Sequence, residues 1–443
     1  MSWSSPGMRA QPARAVPAEA VPAPPPTRAR LAARAGRLTT SLCRSLGRPG
    51  GVLGGRVALA LAPGLLCELA TSRPVALVSG TNGKSTTTAM LAAAFGVRSR
   101  PAWNRTGANM ADGALVALLD DPDADSAVLE IDEGYLPGVI AETRPAFVVL
   151  LNMSRDQLDR VGEVASVVRR IRAALLTSPQ TTVIANAGDP LVVAAAQAAE
   201  HRIWVAPPRT WRHDGVTCLL CGGHIDPMAT TWRCTGCALS EPSAAWTVSE
   251  NGQLIGPDGH RRILDLRLPG TANLVNASFA VAAAAAYGVP PDRAVDAIAG
   301  LAEVAGRYRS FPRSDGETRL LLAKNPAGWS ETLAVIEASP SAVVIAVNSR
   351  EADGRDPSWL WDVPFERLRG RRVVASGDRA TDVAVRLAYA EVDHEVEADP
   401  VVAARRLGGR VDVAADYTAF LAARSRLART IADDGSAKSN GTG

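Results

Sequence analysis

Residues 75–91, VALVSGTNGKSTTTAML, decide the fold. A run of strand length, Val75–Ser79, leads into Gly80 and Gly83, and Lys84-Ser85-Thr86-Thr87 then opens an Ala-rich helical stretch. This junction is built to hold phosphate. Glycines let backbone N–H groups turn toward an anion, and a helix N-terminus adds its partial positive charge. Lys84 is expected to reach the terminal phosphates of ATP and Ser85 to offer its hydroxyl to Mg²⁺, with Gly80, Thr81, Asn82, Gly83 and Thr86 completing the cradle. The usual phosphate loop has its first glycine where Val78 stands, so the loop is of a variant kind.

Outward from the loop, short β-branched runs alternate with Ala-rich helical stretches. AVLEID (127–132), FVVLLN (147–152) and TTVIAN (181–186) read as strands covered on both faces, which makes the region an α/β unit of βαβ type. A composition break at about 207–262, rich in Cys, Gly, His, Trp and Thr, interrupts it before the helix NASFAVAAAAAYG (276–288). A second α/β series follows, with strands RLLLA (319–323), SAVVIAVN (341–348), RRVVASG (371–377) and VDVAAD (411–416). Residues 1–45, rich in Ala, Pro and Arg, read as a disordered tail rather than a transit peptide, and 431–443 as another loose tail.

The chain has 443 residues, 47% hydrophobic and 21% charged, enough for two or three cores. A net charge of +3 with dispersed basic residues argues against a nucleic-acid partner. Arg, Pro or Gly interrupts every apolar run short of the roughly 18–20 residues a membrane span needs, so the chain is expected to be cytoplasmic. Cys218-x-x-Cys221 and Cys234-x-x-Cys237 have zinc-ribbon spacing, each pair forming one knuckle of a tetrahedral thiolate site. His213 and His224 lie nearby and read as surface residues. The segment between the pairs has too little charge and stacking surface for nucleic acid, so a structural zinc is expected. Cys43 and Cys67 stand alone in Ala/Leu contexts without the neighbours of an activated nucleophile.

Glu130, Asp132 and Glu133 fall where a buried parallel strand emerges at its carboxyl end, the ligand side of such sheets. A carboxylate there can complete a Mg²⁺ shell; Glu130 is the candidate, and Asp132 and Glu133 read more readily as solvated charges.

GTNGKSTT resembles the ATP loop of the Mur ligase family, which also includes folylpolyglutamate synthetase, and further stretches match in the family's order. NRTGANM (104–110) resembles its substrate-side loop and LEIDEG (129–134) its acidic strand end. NAGDP (186–190) is similar to its Asn-x-Asp-Asp-Pro turn, with Gly188 in place of the first Asp. LPGTANLVNASFA (268–280) resembles the adenine-side helix entry, and GRYR (306–309) the Gly-Arg at the domain joint. The resemblance implies a Mur ligase-like central ATPase domain at 46–304, into which the four-cysteine zinc ribbon read from its spacing is inserted at about 207–262, an insertion typical members of the family lack. A Rossmann-like C-terminal α/β domain would follow at 305–430. It also implies Lys84 and Glu130 as catalytic residues, Glu130 and Ser85 as Mg²⁺ ligands, Asn273 and Arg307 at the nucleotide, and Asn104 and Asn109 on the substrate side.

Most of the family carries Asp-His-Leu-Asp after the third strand; here NMSRDQLDR (152–160) has Gln157 in the His position, so a second metal would be held less well. RDQLDR, LAKNPAGW (322–329) and ADGRDPSWLWD (352–362) resemble one branch, the ATP-using subunits of enzymes that amidate lipid II. That resemblance implies phosphorylation of the α-carboxyl of D-glutamate and attack of ammonia on the acyl phosphate, at the inner face of the cytoplasmic membrane. No cysteine here suits glutamine hydrolysis, so a GatD-like glutamine amidotransferase subunit is the implied source of ammonia. Lys324 and Asn325 read equally as ligand contacts or as a joint loop. Asp356 reads either as the cap of a helix begun by Pro357 or, by resemblance, as a carboxylate orienting the partner's catalytic His. Trp359 and Trp361 beside it look like an interface anchor. A folylpolyglutamate synthetase-like ligase is the alternative, but it leaves the four cysteines unexplained. A zinc-containing binding module is the other, and intact Lys84, Ser85 and Glu130 count against it.

Overall fold

In the computed structural model the described residues are 27–46, 52–105, 107–154, 164–208, 215–226, 229–301 and 308–439. Gln157, His213 and Arg307 lie outside them, as do residues 1–26 and 440–443 of the expected tails.

The run ahead of the glycine loop forms β1 (Val75–Ser79), buried along its whole length. It belongs to a nine-stranded sheet with β2 (Pro101–Trp103), β3 (Ser126–Glu130), β4 (Phe147–Leu150), β5 (Thr182–Asn186) and β6 (His201–Ala206). The sheet is completed by β7 (Trp246–Val248), β8 (Gln253–Ile255) and β9 (Arg261–Ile263). The order is β2-β3-β1-β4-β5-β6-β7-β8-β9, parallel through β7 and antiparallel beyond. Side chains alternate between two cores: Leu77, Leu129 and Val148 face one, and Val78, Val128 and Val149 the other. That two-sided burial is why the strands read as unbroken apolar runs. β1 lies between β3 and β4, so the chain leaves it to one side and later returns to the other. The glycine loop therefore sits at a topological switch point, where open α/β sheets leave a crevice at their carboxyl ends.

A six-stranded sheet follows, with β10 (Tyr308–Arg313), β11 (Gly316–Leu322), β12 (Ala342–Ala346), β13 (Val373–Ser376), β14 (His394–Val396) and β15 (Arg410–Ala415). Its order is β10-β11-β15-β12-β13-β14, parallel except for the β10–β11 hairpin. Arg319 and Asp412 face each other on β11 and β15 and form a buried two-pronged pair at 2.5 and 2.6 Å. Ser341 also donates to that carboxylate, so the charges are fully partnered.

Three expectations change. Residues 27–45 are not a loose tail but a helix, α1 (Thr27–Ser45), packed on α2 (Leu53–Leu61) and ahead of α3 (Leu65–Thr71). Ala- and Arg-rich sequence forms helix well, and small residues allow close packing. At the other end the helix Tyr417–Ser439 runs past residue 430. The 207–262 stretch also divides, because β7, β8 and β9 extend the main sheet. Only the part before them, which includes the bridges Thr217–His224, Ile225–Cys234 and Arg233–Ser240, stands apart from it. Among the described residues no single helix is long and apolar enough to cross a membrane.

Candidate active site

The loop after β1 is pinned before its helix, α4 (Lys84–Phe95), begins. Thr81 N–H donates to Asn152 O at 3.0 Å, Asn82 N–H to Asn152 Oδ1 at 2.8 Å, and Ser154 N–H to Thr81 Oγ1 at 2.9 Å. Gly80 (φ 141°) and Gly83 (φ 84°) hold conformations that side chains oppose, and a Cβ on Gly83 would overlap Asn276 Oδ1.

Lys84 is not on an open surface. Only 4% exposed, it donates from Nζ to Gly80 O at 2.6 Å, Thr81 O at 3.2 Å and Glu133 Oε2 at 2.9 Å. Glu133 is thus a buried partner rather than the solvated charge expected. Burial alone would raise its pKa, but the Lys84 charge and hydrogen bond hold the carboxyl below its ordinary value. Nothing in the local sequence pointed to this pair, because its members lie 49 residues apart.

Glu130 ends β3 and is 2% exposed, with Oε2 buried and unpartnered among the described residues. A buried carboxylate oxygen left open beside a phosphate loop suits a hard divalent cation. Asn104 is buried and holds Glu130 in place: its Oδ1 accepts Glu130 N–H at 2.7 Å, and its Nδ2 donates to Glu130 O at 2.9 Å and Ala108 O at 2.8 Å. Asn109 O accepts the N–H of Asp132 at 2.7 Å. Ser85 opens onto a cavity of about 430 Å³ lined also by Trp103, Asn104 and Arg105. The Arg105 guanidinium lies 5.4 Å from the Trp103 ring centroid.

On the other side of the loop, a smaller cavity of about 190 Å³ lies between the two sheets. Asn82, Gly83, Thr86, Asn273, Tyr308 and Lys324 are among the residues that line it. Asn325 caps the helix Pro326–Glu337, accepting Gly328 N–H at 2.9 Å, and exchanges two amide hydrogen bonds with Asn82, each 3.2 Å. Lys324 Nζ sits 4.9 Å over the Tyr417 ring. Asn325 is therefore a joint between the phosphate loop and the second sheet. At the turn NAGDP, Asp189 caps the following helix through Leu191 and Val192 N–H and also accepts Met153 N–H at 2.8 Å.

The four cysteine sulfurs of Cys218, Cys221, Cys234 and Cys237 lie within 4.8 Å of one another, and all four are free thiols. Gly223 N–H donates to Cys221 Sγ at 3.3 Å and Gly236 N–H to Cys234 Sγ at 3.2 Å, the same contact in each knuckle. Such a set is compatible with one tetrahedral zinc. His224 is exposed. Fully buried Trp232 packs beneath the cluster and donates from Nε1 to Ala187 O at 3.1 Å, fastening this segment to the turn after β5.

The stretch ADGRDPSWLWD leaves β12 at its carboxyl end. Asp356 is exposed; its Oδ1 accepts Ser358 N–H at 2.9 Å, and a short 3-10 helix, Ser358–Asp362, follows Pro357. The two tryptophans separate. Trp359 stacks on buried Trp329 at 5.9 Å and is partly buried against the core. Trp361 is 55% exposed and meets exposed Tyr389 edge-on at 5.2 Å.

Several known proteins are similar to this chain. A MurT subunit of lipid II isoglutaminyl synthase from Staphylococcus aureus is 28% identical over 87% of this chain and 92% of its own length. The Streptococcus pneumoniae MurT subunit is 29% identical over 80% and 85%. Among solved structures, a pseudomurein peptide ligase type C from Methanothermus fervidus superposes with a TM-score of 0.63 at 18% identity, covering 83% of this chain and 80% of its own. MurF from Acinetobacter baumannii gives 0.62 at 16%, covering 85% and 80%, so both show the fold alone. Residues 78–210 match the Mur ligase middle domain family and 322–420 the MurT ligase C-terminal family, one in each sheet. The chain thus matches a Mur ligase family model in its first sheet and a MurT ligase model in its second, is similar to MurT subunits over most of its length, and is an ATP-dependent ligase.

Proposed function

We propose that this chain is the ATP-using subunit of a glutamine-dependent amidoligase that converts the α-carboxyl of D-glutamate in the lipid II stem peptide to an amide. The observation that carries the reading is that likeness to MurT subunits runs through both sheets while the phosphate loop keeps Lys84, Ser85 and an open Glu130 oxygen. A carboxylate oxygen of the substrate attacks the γ-phosphorus of ATP and the bond to ADP breaks. Ammonia then attacks the acyl carbon, phosphate leaves with the bonding pair, and a proton is released from nitrogen. The chain's part is to position groups and neutralise charge.

The backbone N–H groups at the α4 N-terminus, from Gly83 onward, receive the phosphates, with Lys84 as the fixed cation. Asn273 lies on the nucleotide side, in the cavity between the sheets. Arg307 is assigned there by resemblance alone. Glu130 and Ser85 would hold Mg²⁺, which supplies neutralisation of charge between the phosphates and the acceptor carboxylate. Asn104 orients Glu130 rather than touching substrate, because its amide is engaged by backbone. Asn109 remains a substrate-side candidate, and Lys324 and Asn325 act at the joint.

The four cysteines form a structural zinc ribbon set into the central domain, and the six-stranded unit serves as a Rossmann-like C-terminal domain. Ammonia comes from a GatD-like glutamine amidotransferase. Asp356 faces it, its second oxygen without a partner among the described residues, to orient the catalytic His of that subunit. Trp361 and Tyr389 offer the exposed aromatic surface for docking. The complex works at the inner face of the cytoplasmic membrane.

The test is ATP turnover by the purified chain with lipid II and ammonium, with and without the glutaminase subunit. Formation of ADP that requires lipid II, together with mass spectra showing a hydroxyl replaced by an amino group, is the expected result. ADP formation that ignores lipid II but requires a folate and glutamate would overturn the reading.

A further inference from the structure

The helix α1 presents its residues the wrong way round for a soluble helix. Its buried face is made of Ala29, Ala32, Ala33, Gly36 and Thr40, while Leu31, Leu38, Leu42 and the adjoining Leu46 are 59, 72, 62 and 70% exposed. Large aliphatic side chains normally take the inner face. The helix cannot turn to hide them. A Cβ on Gly36 would lie 2.9 Å from Ala58 Cβ and 3.0 Å from Gly54 O, and one on Gly54 would overlap Thr40 Oγ1, so α1 and α2 touch backbone to backbone.

Spaced seven, four and four residues apart, the leucines line one strip of the outer face. Arg30, Arg34, Arg37 and Arg44 run beside it in a second strip, and α1 contains no Asp or Glu. Arg28 is bonded to Leu61 O, and Arg44 pairs with Asp120 at 2.6 Å. Arg30, Arg34 and Arg37 make no ion pair or hydrogen bond among the described residues. A leucine strip bordered by uncompensated arginines matches a surface that is apolar below and anionic above.

We infer that α1 is a docking helix that lays Leu31, Leu38, Leu42 and Leu46 into the headgroup boundary of an anionic phospholipid membrane while its arginines meet the lipid phosphates. Arg44, at the helix end, also lines a cavity of about 480 Å³ with Trp103, Asn104 and Arg105. Docking would bring that cavity to the membrane surface, where a lipid-carried substrate is presented. This last link rests on the proposed function; the docking itself does not.

The test is co-sedimentation of the full chain with phosphatidylcholine vesicles containing or lacking phosphatidylglycerol, none of them carrying lipid II. Binding is expected to be roughly tenfold or more tighter to the anionic vesicles and to weaken as salt rises. L31Q/L38Q/L42Q should lower it by roughly tenfold or more, since each fully inserted leucine is worth about tenfold or more and even partial insertion of three sums to that. R30Q/R34Q/R37Q should weaken binding and flatten its salt dependence. All these positions are exposed, so an unchanged melting curve verifies that the variants are folded. Wild-type protein that ignores anionic vesicles, or a leucine variant that binds like wild type, overturns the inference. So does a wild-type dimer that the leucine variant dissociates without any vesicle binding, which would make the strip a protein interface. Neither turnover nor substrate enters the assay, so failure of the catalytic reading leaves its outcome intact.

Discussion

Lys84→Met is expected to remove two things at once, activity and part of the fold's stability, and a second substitution separates them. In the wild type Lys84 and Glu133 are 4% and 7% exposed and share a 2.9 Å contact. Without the lysine, the buried Glu133 must ionise alone or take up a proton. The second course sets the ceiling: holding a carboxyl of ordinary pKa 4.5 protonated at about pH 7.5 costs roughly 4 kcal/mol, within the range for breaking a buried pair. For a domain of this size that is a fall in melting temperature of roughly 10 °C. Lys84→Met/Glu133→Gln removes both charges and should recover most of the loss, yet stay inactive because the phosphate-binding cation is still missing.

The pH dependence gives an independent check. In the wild type the paired carboxyl is depressed, so its stabilisation is present above the ordinary carboxylate value and lost as pH falls through the folded one. In Lys84→Met burial has no opposing cation, the folded value is raised, and stability is lost as pH rises. The gap between the two proteins should therefore narrow steadily toward pH 4.5. Thermal denaturation across pH 4.5–8, with ATP turnover measured on the same preparations, decides the matter. A single variant that melts like wild type, or a double variant no more stable than the single, would refute the buried-pair argument.

Elemental analysis should find one zinc per chain, and Cys221→Ser should lose it and melt lower while the ATP chemistry suffers only indirectly; metal-free protein with four freely titrating thiols would contradict the ribbon. Asp356→Asn should abolish glutamine-dependent amidation and spare both complex formation and the rate with free ammonia, whereas a simple turn-forming role would leave both rates unchanged. Burial, with Asp353 nearby, pushes the Asp416 carboxyl up to about 6, so its contribution is present below the ordinary carboxylate value and lost as pH rises through 6. Relative to Asp416→Asn, the wild type should lose roughly 2–3 kcal/mol of stability between about pH 4 and pH 6.5 in urea titrations; parallel stability curves would dismiss this.

The parallel strands around the phosphate loop were legible because two-sided burial leaves an unbroken apolar run, and the loop because its glycines and Lys84-Ser85 are contiguous. What escaped depended on tertiary placement. β7, β8 and β9 are three residues each, within a Cys- and Gly-rich stretch, too short to show a period. The composition of α1 is shared by tails and helices, and only the fit of Gly36 and Thr40 against Gly54 distinguishes them. Glu133 and Asp132 look alike in sequence, yet one meets Lys84 and the other turns back on Gly134 N–H. Trp359 and Trp361 are two residues apart, and the local helix sends one to the core and the other outward.

The loop that carries Asp356 is anchored more firmly than its exposure suggests, and that anchorage yields a last prediction. Ser349, with φ at 50°, is held by Asp416, whose Oδ2 accepts the N–H groups of Asn348 at 2.7 Å and Ser349 at 2.9 Å. Three residues before Asp356, buried Asp353 accepts Thr418 N–H at 2.8 Å on Oδ1, and Thr418 Oγ1 at 2.6 Å and Arg350 N–H at 2.9 Å on Oδ2. Both carboxylates grip the start of the helix Tyr417–Ser439, so the loop is tied to rigid structure just short of Asp356, as Trp359 and Leu360 tie it just beyond. Asp353→Asn places an amide where Oδ2 receives two donors, leaving at least one of them unsatisfied at a cost of about 1–3 kcal/mol. The strain falls on the loop, not on the nucleotide site. If Asp356 acts by orienting a group in the partner, glutamine-dependent amidation should drop by roughly tenfold or more, because small displacements of an orienting group cost that much. Ammonia-dependent amidation and the Michaelis constant for ATP should stay as in the wild type. Equal losses with glutamine and ammonia would show that Asp353 supports the domain as a whole, and undiminished use of glutamine would show that the loop needs no anchor there.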